Sequence, residues 1–482
     1  MAGIGFELKR IFKKEGLGSM VAGALYSTIV VIGPTIMVMI TLLFLYGTMG
    51  YLNVPYSERE LLSSTILYIF VFALIITAPI NAVMSRYIAD KFYEEKYEDI
   101  LPSYFMGLLI CIVIGAIVGG IFGYRLVTEG DLNIVYVIVA YLMFMALITV
   151  FYSLTYLSAT KDYKIIAVDF LIGMVITFLS AQLFRMVLGF SMSFSILFGM
   201  FIGFGVIGTL QMAYIRHYFV ISNNNYTECL GYFKNFKRLY FGTLFYTLGI
   251  YVHNFIFWTT PEHLVIARSF VTYQAYDMAA CLGMFTNISI MVIFTVMAET
   301  NFHDVYQKYI EAVIGDTLEN IELSKKKMFR LLVQQIGYVV RIQAVISVII
   351  FLLAIVFLPD YGFTGLEMTI YPSLAAAFFG IFIMYCNVIF LYYFNDNTGT
   401  LVTGLLFFTG VLVGSLITKN LTPQFYGMGA FAGAVIGWTY SFFRIRYLEK
   451  CFDYHILCNS KIFHTKKIKK KSEELISLGY KN

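Results

Sequence analysis

The chain has 482 residues, of which 59% are hydrophobic and only 13% charged, with a formal net charge of +5. A soluble globular protein carries roughly 25% charged residues, so a water-soluble enzyme or a nucleic-acid-binding domain is excluded as its main body. What remains is an all-α polytopic membrane protein, built from apolar stretches that can cross a hydrocarbon core of about 30 Å.

The opening MAGIGFELKRIFKKEGLGSM places Ile4, Leu8, Ile11 and Phe12 on one side of a helix and Lys9, Arg10, Lys13 and Lys14 towards the other. Residues 1–18 therefore read as a basic amphipathic segment suited to the inner leaflet. The apolar run behind it is longer than the roughly 7–15 residues of a secretory signal and shows no convincing cleavage site. It reads as a retained first span. Twelve spans are expected, at about 20–46, 61–84, 104–122, 134–157, 165–183, 192–215, 240–258, 278–297, 331–358, 374–394, 401–417 and 426–443.

With the N-terminus inside, 28 of the 34 Lys and Arg fall on cytoplasmic segments, against five on outward ones: Arg59, Arg125, Arg185, Arg268 and Lys419. The remaining one, Arg341, lies within a span. Such an asymmetry predicts that both termini are cytoplasmic. The loop FNDNTG at 394–399 is placed inside without a positive charge. Between the eighth and ninth spans, Tyr306, Tyr309, Ile310, Val313, Ile314, Leu318 and Ile321 recur at helical spacing. They predict a cytoplasmic amphipathic helix over about 303–323. Residues 446–482 form a basic cytoplasmic tail drawn to anionic lipid.

Six plus six spans suggest duplication. The second span runs into SRYIADKFYEEKYEDIL and the eighth into VMAETNFHDVYQKYIEAVI, each with an acidic residue directly after Ala. A parallel repeat follows, with an N-lobe at 19–235 and a C-lobe at 236–445.

Signatures of enzymes are missing: no D-x-D, no phosphate-cradling G-x-x-x-x-G-K-[ST], no H-E-x-x-H. The six His are scattered singly and the six Cys lack metal spacing, so no enzyme activity, metal or cofactor is expected, and the thiols read as unpaired.

Polar groups inside spans are costly there and so point to function. Asp169, in IIAVDFLIG, is either an interfacial carboxylate paired with Lys161 or Lys164 or a working acid. His253 and Asn254 lie together in the seventh span and are candidates for lining a cavity, as are Arg341 and Gln334 on a polar stripe of the ninth. Asn81, Asn287 and Asn387 are single amides that either line a pathway or bond helix to helix. Gly33, Pro34 and Pro79 are candidate helix breaks, serving as hinges or as static kinks. Tyr141, Tyr152 and Tyr156 on the fourth span could offer stacking faces to sugar rings.

The start MAGIGFELKRIF resembles the PelG family of bacterial inner-membrane components for Pel exopolysaccharide export. The likeness extends to the Gly33-Pro34 pair, to GIYVHNFIFW and to AETNFHDVYQKYIEAVIGDTLENI. The resemblance implies the multidrug/oligosaccharidyl-lipid/polysaccharide (MOP) exporter superfamily, with two six-helix lobes around a central cavity. It also implies a partly cationic amino-sugar polymer as substrate, a role in biofilm formation, and partners in the glycosyltransferase PelF and in PelD and PelE, under cyclic di-GMP control. It assigns no catalytic residue.

Three readings stand: a polysaccharide translocator, an ion-coupled exporter of small molecules or lipid-linked oligosaccharides using Asp169 or Glu299, and a scaffold. A membrane-embedded glycosyltransferase fails for want of a nucleotide-sugar motif.

Overall fold

The computed structural model describes residues 32–160, 162–297, 302–361, 363 and 365–459. The segment 1–18, the first span up to residue 31, Lys161, Glu299 and the tail beyond 459 lie outside the described residues.

The described chain is helical except for one hairpin. Its first part comprises α1 (Gly33–Thr48), α2 (Tyr56–Tyr93), α3 (Ile100–Thr128), α4 (Ile134–Thr160), α5 (Tyr163–Met186) and α6 (Met192–Tyr218). A short α7 (Glu228–Asn235) leads into α8 (Lys237–Phe257), then β1 (Leu264–Ile266) pairs antiparallel with β2 (Phe270–Thr272). There follow α9 (Gln274–Asn287), α10 (Ser289–Met297), α11 (His303–Gly315), α12 (Leu318–Phe357), α13 (Leu366–Tyr393), α14 (Asn397–Thr418) and α15 (Met428–Asn459). Among the described residues, nine helices are long and apolar enough to cross a membrane.

Apolar composition makes these helices, because in hydrocarbon every backbone group must be bonded within its own segment. Hydroxyls inside them follow the same rule. Thr65, Thr77, Thr177, Thr243 and Thr247 each donate to the carbonyl four residues earlier, at 2.7–3.0 Å. Ser191, Thr317 and Asp396 cap the starts of α6, α12 and α14. Pro34 stands in the first turn of α1, where its missing N–H is no loss. Pro79 is buried inside α2, which runs unbroken across it. The interruption falls elsewhere, at Ile288 between α9 and α10.

Burial divides mainly in two, with a small cluster of Leu126, Val137 and Phe270 spanning the halves at the hairpin. One core cluster is drawn from residues between Leu45 and Cys229, and two others from residues between Val252 and Phe452. In the first half α1 packs on α5, α5 on α6, α6 on α4, and α4 on both α2 and α3. In the second, α8 packs on α14, α14 on α15, α15 on α13 and α13 on α9. Helix α13 is 72% buried over its most apolar window and is central, whereas α12 is 6% buried there and lies at the edge. The halves meet mainly along α2, against α8 and the hairpin.

Glycine sets the closest approaches within each half. A Cβ on Gly404 would stand 2.4 Å from the Gly242 carbonyl, and one on Gly429 2.4 Å from the Gly414 backbone. Between α5 and α6, a Cβ on Gly203 would stand 2.6 Å from the Gly173 carbonyl. Small residues let membrane helices touch backbone to backbone, where van der Waals packing is the main attraction.

Ion pairs fasten one end of the bundle. Buried Lys91 pairs with Asp99 at 2.6 Å and Glu228 at 2.8 Å, tying α2 to the turn before α3 and to α7. Asp396, in the FNDNTG loop, accepts Arg444 Nε at 2.5 Å and Nη2 at 3.0 Å, so this loop draws its positive charge from α15. The amphipathic stretch is divided: α11 ends at Gly315, and Thr317 caps a new helix to which Leu318 and Ile321 belong. Tyr309 is buried and donates to Asp453 at 2.8 Å, so α11 packs against the bundle.

Overpacking a close contact costs about 1–3 kcal/mol. Gly429→Ala is expected to lower the thermal unfolding temperature of detergent-solubilised protein. Gly120→Ala, where an added Cβ meets nothing within 4 Å, is expected to leave it unchanged or raise it.

Candidate functional site

The last turns of α8 and the first turn of α9 face each other. Asn254 Nδ2 donates to Asp277 Oδ1 at 2.7 Å, and Trp258 Nε1 lies 3.0 Å from both carboxylate oxygens. The Tyr273 N–H donates to Asp277 Oδ2 at 3.2 Å. A carboxylate in the first turn of a helix also meets the positive end of its dipole. Asp277 is thus held by donors from two elements, and among the described residues no Lys or Arg pairs with it.

One rung below, His253 is fully buried, with Nδ1 and the Tyr276 hydroxyl 2.9 Å apart and Nε2 without a partner among the described residues. His253 and Asn254 thus bridge the same two helices through consecutive residues of each, Tyr276 and Asp277.

The indole that Asp277 holds faces the other half of the molecule. Trp258 stacks on Tyr68 of α2, with centroids 5.0 Å apart and planes 6° from parallel. The Tyr68 hydroxyl donates to Val271 O at 2.8 Å and accepts from Val271 N at 3.1 Å, clasping β2. Phe270 meets the edge of the same ring at 5.1 Å. Nearer the start of α2, Tyr56 donates to Gln274 Oε1 at 2.8 Å, and Gln274 Nε2 donates to Glu60 Oε1 at 3.0 Å. Together these contacts form a seam between the halves at the hairpin end.

Of the residues singled out from sequence, only His253 and Asn254 belong to this seam. Asn287 lies at the α9–α10 break and donates to Gly283 O and Ala375 O at 2.9 Å, while accepting from Ser347 at 2.7 Å. Its amide bonds helix to helix. Asn81 reaches Phe151 O at 3.0 Å and Asn387 reaches Ser441 at 3.0 Å, linking α2 to α4 and α13 to α15. Asp169 is buried in α5, in the first half and away from the seam, with Oδ2 unpartnered among the described residues. Gln334 and Arg341 are on the exposed face of α12, and Arg341 Nε donates to Gly337 O of its own helix at 3.1 Å. A hydrocarbon segment of about 20 residues, counted back from the end of α12 at Phe357, starts near Tyr338. Arg341 is thus within one turn of the boundary, where an arginine reaches headgroups. Tyr152 and Tyr156 are fully buried and hydrogen-bonded to each other at 3.2 Å, so they offer no free face.

The sequence reading missed Glu60, Tyr68, Trp258, Gln274 and Asp277. The signal for two of them was present. Glu60 and Asp277 stand one residue before the second and eighth spans expected from sequence.

Solved structures with this architecture include membrane transporters. A eukaryotic MATE transporter superposes with TM-score 0.63 at 8% identity, covering 88% of this chain and 95% of its own. A MOP superfamily transporter from Pyrococcus furiosus gives 0.60 at 12%, covering 88% and 96%. An outward-facing multidrug resistance MATE transporter of the MOP superfamily gives 0.59 at 13%, covering 88% and 96%. At such identities the likeness is one of fold. No curated protein matches the chain. A sequence family described as "PelG: Putative exopolysaccharide Exporter (EPS-E)" matches residues 1–457. The chain therefore belongs to the PelG exopolysaccharide exporter family, a membrane transporter family whose fold in this chain is that of the MOP superfamily.

Proposed function

We propose that the chain moves a Pel-like amino-sugar polymer across the bacterial cytoplasmic membrane, between an N-lobe at 19–235 and a C-lobe at 236–445. Twelve helices span the membrane in this reading, α1, α8 and α15 joining the nine that length and apolarity mark out. Both termini are cytoplasmic, so the hairpin end is the outer one. Polymer enters between the inner ends of the first, second, seventh and eighth spans and leaves where the seam parts. PelF supplies the polymer, PelD and PelE complete the complex, and the chain itself catalyses no reaction.

The observation that carries this reading is the seam. Two separately packed halves, which also meet along α2 and α8, are joined at the hairpin end by a stack and neutral hydrogen bonds, contacts that can part without unpacking either core. Family membership supports the class of cargo. In this arrangement Asn254 and Asp277 hold the Trp258 half of the seal, and His253 braces α8 against α9.

A second reading, an ion-coupled exporter of lipid-linked oligosaccharides or small molecules, has the half-buried Asp277 and the buried Asp169 in its favour, as carboxylates among apolar helices. Inverted vesicles distinguish the two. Polymer movement driven by synthesis continues when the proton gradient is collapsed, whereas ion-coupled export stops.

Asp277→Ala removes the acceptor for Trp258, and Asp277→Asn sets an NH2 group against the Trp258 or Tyr273 donor. Both variants are expected to lose most secreted polysaccharide at unchanged membrane abundance, measured by immunoblot of the polymer and of the protein. Full secretion from both would contradict the assignment.

A further inference from the structure

Helix α8 has 21 residues, a length of about 31 Å at 1.5 Å per residue, which matches a hydrocarbon core of about 30 Å. Its last turn is fixed in the seam through Trp258. Its first residue, Lys237, consequently stands at headgroup level in the opposite leaflet. Lys237 is exposed and, among the described residues, pairs with no carboxylate. The amino-terminal peptide dipoles of α8 add to the positive potential there.

At the same level a crevice of about 320 Å³ opens between the halves, with Lys237 on its lining. Ile80 of α2, Ile110 and Ile114 of α3, Phe233 of α7 and Phe241 of α8 make its walls, which are mainly apolar. Both halves contribute, and α7, the short helix joining them, covers one side.

Shape and charge select the occupant. The mainly apolar walls suit an acyl chain entering from the bilayer, and the lysine on the lining asks for a phosphate. We propose that the crevice binds one anionic phospholipid, its phosphate on Lys237 and one acyl chain between Ile80, Ile114 and Phe233. The bound lipid bridges α2 and α3 of one half to α8 of the other and so steadies the arrangement in which the seam is closed. This site borders the inner ends of α2 and α8, where the transport reading has polymer enter, but lipid binding at it does not depend on that reading.

Native mass spectrometry of the full chain, titrated with phosphatidylglycerol or phosphatidylcholine, tests it. A lysine near the surface is worth about 1 kcal/mol towards anionic lipid, so the first phosphatidylglycerol is expected to bind about fivefold more tightly than phosphatidylcholine. Lys237→Gln should abolish that preference and Lys237→Arg should keep it. Ile114→Trp, which fills the crevice and leaves the charge, should lose the tightly held lipid. An unchanged preference in Lys237→Gln, lipid retained by Ile114→Trp, or displacement by millimolar inorganic phosphate, which would mark a free-anion site, would each overturn the proposal. Preference for a copurifying protein over lipid at this crevice would overturn it as well.

Discussion

A carboxylate held without a cation organises the junction of the two halves. Burying charge among apolar helices is costly unless hydrogen bonds compensate it. Asp277 takes its compensation from the Asn254 amide, the Trp258 indole and the Tyr273 backbone. Those donors lie on α8, at its end, and on the turn before α9, so one side chain fixes how these two helices and the hairpin are set. The consequence reaches across the molecule. With its N–H committed to Asp277, the Trp258 ring presents a face to Tyr68, and Tyr68 in turn grips the backbone of β2.

The contacts inside each half are of another kind. Glycines bring α8 onto α14 and α14 onto α15 at backbone contact, and do the same for α5 on α6. Such interfaces have no slack, because any displacement drives backbone into backbone. Across the seam the contacts are ring faces and a hydrogen-bond chain from Tyr56 through Gln274 to Glu60, which are worth far less and can re-form with water. The difference in packing predicts where motion is absorbed: between the halves, with each half moving as a body. Buried Lys91 with Asp99 and Glu228, and Arg444 with Asp396, keep helix ends within a half from fraying while that happens.

Much of the fold was legible in the sequence, since helices in hydrocarbon announce themselves by length and apolarity. The largely helical, membrane-spanning class was legible, and His253–Asn254 stood out because two adjacent polar residues in an apolar helix need partners; several helix ends were not legible, α12 starting at Leu318 and α15 running to Asn459. What escaped was decided by partners distant in sequence. Glu60 and Asp277 stand one residue outside the apolar windows, and a hydropathy boundary cannot tell an acid facing a neighbouring helix from one facing water. Arg341 looked internal because the ninth span was started at 331, whereas Thr317 begins a helix that runs unbroken to Phe357. The tyrosines of the fourth span read as stacking platforms, yet Tyr152 and Tyr156 complete the contact of α4 with α3 through Ser103. Asn287 explained itself only once the α9–α10 break and Ala375 were beside it.

The central claim is that the halves part at the hairpin end while cargo passes. Cysteines placed at Glu60 and Gln274, whose side chains are 3.0 Å apart, in a chain whose six native cysteines are replaced by serine, can be joined by a short reducible cross-linker in living cells. Secretion of polysaccharide is predicted to stop as the cross-link forms and to resume on reduction; secretion that continues in fully cross-linked protein would contradict the account.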